Sequence, residues 1–226
     1  MSKKRVFYCE LAYVFGIIIL AFGTSLMEKA SFGLSMIVAP AYILHLKVSE
    51  FLPFFSFGMA EYVFQALLLC FLSIVMKKVK KSYFLSFATA VLYGFLLDIF
   101  IGLLSFFPFV GIGWRIAFYI LGMLICTMGV ALLFHTYLPP EAYEVVVKEL
   151  AGKLEKPISR VKTVYDVSSL LLGVILSLCF FGGFVGVQWG TIVSTVFNGW
   201  LIGMFSRFFE SKFVFTDAFP IREKFN

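Results

Sequence analysis

Six apolar runs, each near the roughly 20 residues that a helix needs to cross a bilayer's hydrocarbon core, interrupt this sequence at 9–28, 55–76, 83–105, 115–136, 164–184 and 188–209. Lipid offers backbone groups no hydrogen-bond partner, so such runs must satisfy their amides internally, as helices. Composition agrees. Residues AVILMFWYC fill 61% of the 226 positions and charged residues only 14%, too few to cover a soluble domain; mean hydropathy is +0.98. The expected fold class is therefore all-α transmembrane, a single domain over 1–226 made of a six-span helical bundle. Lys3-Lys4-Arg5 before an apolar run imitates a signal peptide, but Leu11 to Met27 holds no Ala-x-Ala-like cleavage site before Glu28. A retained first span is expected.

A seventh apolar stretch, 31–46, is short and contains Gly33, Pro40 and His45. Charge decides how to treat it. With six spans and a cytoplasmic N-terminus, the inner segments hold Lys3, Lys4, Arg5, Lys77, Lys78, Lys80 and Lys81, then Lys148, Lys153, Lys156, Arg160, Lys162, Arg207, Lys212, Arg222 and Lys224. That places 16 of the 19 basic residues inside and leaves Lys29, Lys47 and Arg115 outside. A full crossing at 31–46 would move the Lys77–Lys81 cluster outside, so the positive-inside bias favours six spans, both termini cytoplasmic, and a re-entrant or interfacial insert. Residues 140–156 place Tyr143, Val146, Val147, Leu150 and Leu154 at helical spacing. This stripe reads as a cytoplasmic amphipathic helix whose apolar face lies on lipid, packs under the bundle or docks a partner.

Several function classes drop out. The basic residues sit in blocks between spans rather than among aromatics on one surface, so no nucleic acid is expected as a partner. Cys9, Cys70, Cys126 and Cys179 are far apart and form no CxxC, so no metal and no cofactor are expected. No nucleophile–base pair or phosphate-cradling loop is present, and the chain is not expected to be an enzyme.

The chain also resembles itself. Gly16 and Gly23 open one half, and Gly122 and Gly129 open the other at the same seven-residue spacing. A proline-bearing insert and two more spans follow in each half, and Ser86–Gly94 corresponds to Thr191–Gly199. Three spans per repeat is an odd number, so the second copy (about 115–209) would be inverted relative to the first (about 9–105), the plan that lets one fold open to either side of a membrane.

The Gly-rich first span running into Ala30-Ser-Phe-Gly-Leu-Ser35, the Phe57-Gly58 entry to span two, and Trp189-Gly-Thr-Ile192 leading to Asn198-Gly199 resemble the small bacterial membrane proteins grouped as YitT/YczE-like. The likeness covers most of residues 12–210, although the proline expected soon after Gly33 comes only at Pro40. What the resemblance implies is a multi-pass protein of the bacterial cytoplasmic membrane. It brings no substrate and no functional residue with it.

Candidate site residues are the polar groups at bilayer depth, where an ionisable side chain is costly. Asp98 lies in span three with no cation within a turn; Glu61 and Gln65 share a face of span two. With spans two and three as antiparallel neighbours, the three can converge in the outer half, where a carboxylate pair can bind a cation or carry a proton. Asp166 follows Lys162 by four residues, as an ion pair or as the counterpart of Glu61. Thr191, Ser194, Thr195 and Asn198 form one helical stripe, and Ser86, Thr89 and Tyr93 form its counterpart. These stripes line a path or pack helices together; Tyr93, Thr191 and Asn198 are the candidates for substrate contact.

The leading expectation is a secondary transporter or exporter of a small solute or ion, with proton or cation coupling. The alternatives are a non-transporting binding subunit or regulator with a partner protein, and a lipid-handling protein. Beyond the lipid bilayer, a second copy or a partner subunit is left open.

Overall fold

The computed structural model describes residues 5–107 and 111–218; Lys3, Lys4, Arg222 and Lys224, counted in the charge argument, lie outside the described residues. Six helices are long and apolar enough to cross a membrane: α1 (Cys9–Ala30), α3 (Phe57–Met76), α4 (Lys81–Ser105), α5 (Ile112–Leu133), α7 (Ile158–Phe181) and α8 (Trp189–Lys212). Two shorter helices, α2 (Ala39–Ser49) and α6 (Ala142–Leu154), lie in the inserts. The protein is thus a multi-pass helical bundle. α7 begins earlier than the apolar run at 164 because Pro157 occupies its N-cap and Lys162, in its second turn, is neutralised by Glu144 at 2.9 Å.

The centre is the seam between α1 and α5. Its glycines meet crosswise, Gly16 against Gly129 and Gly23 against Gly122. A Cβ added at Gly129 would lie 2.7 Å from the Leu20 nitrogen and 2.8 Å from the Gly16 carbonyl, so this seam is a backbone-to-backbone approach of the kind small residues permit in lipid. α4 packs on α1, and α8 on α5. α3 lies along α4, whereas α7 and α8 share no comparable seam among the described residues. Phe84, Phe95, Leu171, Ile175 and Trp200 are exposed on the outside of the bundle, as side chains that face acyl chains are.

Both inserts turn into the bundle. In the first, an irregular segment buries Phe32 and Leu34, and Gly190 N–H donates to the Phe32 carbonyl at 3.0 Å. Gly33 has φ +91°, and a Cβ there would sit 2.8 Å from the Gln188 nitrogen, so only glycine suits the bend. The second insert carries the expected amphipathic helix, with its apolar face turned to the bundle. Ala142, Tyr143, Val145, Val146, Val147 and Ala151 are buried against α3, α4 and α7. Thr89 Oγ1 donates to the Pro139 carbonyl at 3.1 Å, and Ser86 Oγ donates to the Pro140 carbonyl. These hydroxyls satisfy carbonyls that a buried loop would otherwise leave without partners. Of the settings open to the apolar stripe, lipid, bundle or partner, it takes the bundle.

A feature absent from the sequence reading ties the tails together. β1 (Arg5–Tyr8) pairs in parallel with β2 (Phe213–Thr216), so the described chain ends share one face of the bundle. Phe7 packs on Phe213 at 5.3 Å between centroids, and His135 stacks on Phe215 at 4.4 Å.

Candidate functional site

About one turn into α3, Glu61 is fully buried. Its Oε2 accepts from Tyr143 Oη at 2.8 Å and from Gln65 Nε2 at 3.3 Å. Gln65 Oε1 accepts from the Ala142 amide at 3.0 Å. At 1.5 Å of rise per residue, Gln65 stands about 12 Å along α3 from its start, so α6 begins deep beside α3. It then runs outward: Lys80 Nζ meets Glu149 at 2.6 Å, and Lys153 Nζ reaches the Val75 carbonyl at the far end of α3. Glu61 and Gln65 therefore seat the start of α6, while Glu61 Oε1 stays buried without a hydrogen-bond partner.

Beside this cluster lies a cavity of about 340 Å³, within the size range of small-molecule sites. α1, α4, α5, α6, α7, α8 and the segment Ser35–Val38 all contribute to its wall. Its charged lining residues are Glu141, Glu144, Lys162 and Asp166. Lys162 Nζ sits 2.9 Å from Glu144 Oε1 and 3.5 Å from Asp166 Oδ1, so its charge is already answered. Asp166 Oδ1 likewise lacks a hydrogen bond but has Lys162 beside it, whereas Glu141 forms no ion pair among the described residues. It is the N-cap residue of α6 but makes no capping bond with its side chain, and its Oε1 is buried without a hydrogen-bond partner. Burial first, and then the nearby carboxylates of Glu61 and Glu144, hold its carboxyl well above the usual range.

The structure brings Glu61 and Gln65 together, with Tyr93 close by on α4. Tyr93 lines the cavity and donates to Thr24 Oγ1 at 3.0 Å. Asp166 and Asn198 line the same cavity from α7 and α8. Thr191 does not. It is buried at the start of α8, where it forms a reciprocal cap with Gln188. The stripe on α8 is thus divided, with Thr191 and Ser194 in packing and Thr195 and Asn198 on the cavity.

Asp98 makes its hydrogen bonds one turn earlier on α3 than Glu61. Its Oδ2 accepts from Ser56 Oγ at 2.5 Å and its Oδ1 from the Gly58 amide at 2.8 Å. Ser56 in turn accepts from Met59 N at 3.1 Å. Asp98 answers the unpaired amides at the start of α3, the place where a carboxylate is most favoured. Asp98→Ala is expected to cost about 1–2 kcal/mol, the size of a lost cap, and Asp98→Asn less, since it keeps one acceptor. Unfolding titrations of the purified variants check this. A loss of solute flux in Asp98→Asn at unchanged stability would return Asp98 to the pathway.

Glu141 is the residue that sequence reasoning missed. It stands next to Pro139-Pro140 and off the apolar stripe of residues 140–156, so nothing in that pattern singles it out. The available signal was the double proline, which commits the chain to an extended approach. Arg115, placed at a span end, is a staple: its Nε donates to the Ala30 carbonyl at 2.9 Å and its guanidinium lies 4.7 Å from the Phe32 ring centroid. Among the described residues, no group of three His, Cys, Asp or Glu is placed to hold a metal.

A family model described as a family of unknown function, DUF6198, matches residues 7–207. The chain belongs to that family. No curated protein and no solved structure matches it.

Proposed function

For this multi-pass member of DUF6198, we propose a secondary transporter that moves a small solute by alternating exposure of the cavity between α7 and α8. The supporting observation is an asymmetry. The shift that aligns Ser86–Gly94 with Thr191–Gly199 also aligns Gly58 with Thr163. Gly58 and Gly94 touch backbone to backbone and close α3 on α4. Their counterparts Thr163 and Gly199 instead both line the cavity, and a Cβ added at Gly199 would have nothing within 4 Å. On this reading the halves are inverted repeats and both inserts are re-entrant. One half is closed while the other is open, and exchanging their conformations turns the cavity to the opposite side. The charge count supports an opening toward the cytoplasm, with both termini there. The resemblance to YitT/YczE-like proteins supports a bacterial cytoplasmic membrane.

Because transport would be carried by motion of this chain, the reading assigns no enzymatic step and requires no partner subunit. The test is Thr163→Cys with Gly199→Cys, in a background with the four native cysteines replaced by alanine, reconstituted in liposomes. A disulfide needs its Cβ atoms within about 4.5 Å, a distance the open cavity does not offer. The expected result is a disulfide formed on oxidation, which arrests solute flux until reductant is added. A rigid bundle would leave both thiols free, and the transporter reading would then be abandoned for a static binding subunit.

A further inference from the structure

We propose that the cavity binds a small apolar organic cation, with Glu141 as its counter-charge, and that each cation entering displaces one proton from the Glu141 carboxyl. Binding stands on the cavity itself; the use of that exchange to drive movement rests on the transporter reading above.

Three observations carry the assignment. Lys162 is the one cation among the described lining residues, and Glu144 and Asp166 both hold it. An anionic solute would therefore find no free positive charge. Glu141 contributes a carboxyl with a buried oxygen that lacks a hydrogen-bond partner, an arrangement that costs free energy until something meets it. The rest of the wall is mainly apolar, with Leu20, Met36, Val130, Val167 and Ile202 beside the rings of Tyr93, Phe134 and Tyr143. Such a wall suits a cation that carries its own hydrocarbon and can rest against aromatic faces.

The charge balances. An empty site holds Glu141 as the neutral acid; the cation arrives, the O–H bond breaks, the proton leaves to solvent, and a carboxylate–cation pair remains. The total charge in the cavity is the same before and after, so neither state strands an unpaired charge in low dielectric. The titratable groups around Glu141 do not supply an alternative counter-charge. Glu61 faces it from α3, Tyr13 from α1, Tyr93 from α4, Cys126 from α5 and Glu144 and Tyr143 from α6. From α7 come Lys162 and Asp166, already paired with each other, and the cavity-lining residues of α8 carry no ionisable group. Two carboxylates near a third favour its neutral form, which is the form a proton-exchange site needs at rest.

The probe is benzyltrimethylammonium, whose fixed charge ensures that any proton released comes from the protein. Purified full-length protein in weakly buffered detergent is titrated with it, and bound cation and released protons are measured together. About one proton per cation is expected, with affinity rising about tenfold per pH unit while Glu141 remains protonated in the empty site. Glu141→Gln should release no proton and lose the pH dependence; Glu141→Asp, which keeps the acid, should retain both and so guards against a merely misfolded glutamine variant. Neopentylbenzene, the neutral isostere, and benzenesulfonate, the anion, should bind weakly. Tighter binding of benzenesulfonate overturns the proposal, as does cation binding without proton release in the unaltered protein. If the cation fails to bind while the Thr163→Cys/Gly199→Cys disulfide forms, the cation assignment falls and the transporter reading stands. If it binds with proton release and no disulfide forms, the binding site stands and transport does not.

Discussion

Replacing Gly23 by valine is expected to destabilise the bundle by about 3 kcal/mol, the upper end of what overpacking costs. The obstacles explain the size. A Cβ at Gly23 would lie 2.5 Å from the Cys126 nitrogen and 2.8 Å from the Gly122 carbonyl oxygen. These are backbone atoms of α5, which cannot turn aside as a flexible side chain can. Relief requires α1 and α5 to separate along the seam that carries α4 on one side and α8 on the other. Gly102→Ala on α4 is the matched control. No atom lies within 4 Å of a Cβ there, and its stability should stay within about 0.5 kcal/mol of the parent. Unfolding of the two variants in detergent, under identical conditions, makes the comparison. Equal stability would mean that the two helices are not held as closely as their glycines indicate.

The second large effect is expected at Glu61. Glu61→Leu leaves Tyr143 Oη and Gln65 Nε2 without their acceptor in a buried setting, at about 1–3 kcal/mol for each orphaned donor. It also loosens the start of α6, which these groups seat against α3. Tyr143→Phe removes one of those donors, so the double variant should recover part of the loss. A coupling of about 1 kcal/mol or more in the double-mutant cycle is expected, as for residues sharing one hydrogen-bond network. Additive effects would mean that the Tyr143–Glu61 bond contributes nothing to holding α6. Proteolysis of the α6 connection should accelerate in Glu61→Leu and not in Gly102→Ala, separating release of this helix from general loss of stability.

Much of the fold was legible in the residues. Hydrocarbon thickness and the missing backbone partners in lipid impose a run length that all six spans obey, whereas the spacing of Gly16, Gly23, Gly122 and Gly129 pointed to a repeat and only the structure showed them meeting at a seam. Glu61 and Gln65 were readable as neighbours because four residues along a helix return to the same face. Asp98 was not readable. The amides it satisfies begin the preceding helix, and local sequence does not say which carboxylate will meet a helix start. The tail strands were missed because their pairing joins segments at opposite ends of the chain.

The number and position of the spans follow from the sequence alone, since transfer from water to lipid depends on each segment by itself. Which faces meet does not. In a bilayer the inward and outward faces of a helix are both apolar, so the amphipathic contrast that orients helices in water is weak here. The choice among them falls to backbone approach at glycines and to a few buried hydrogen bonds. That is why only the tertiary structure could choose the bundle for the face of α6, set Glu141 in a cavity wall, and leave α7 apart from α8 while α3 closes on α4.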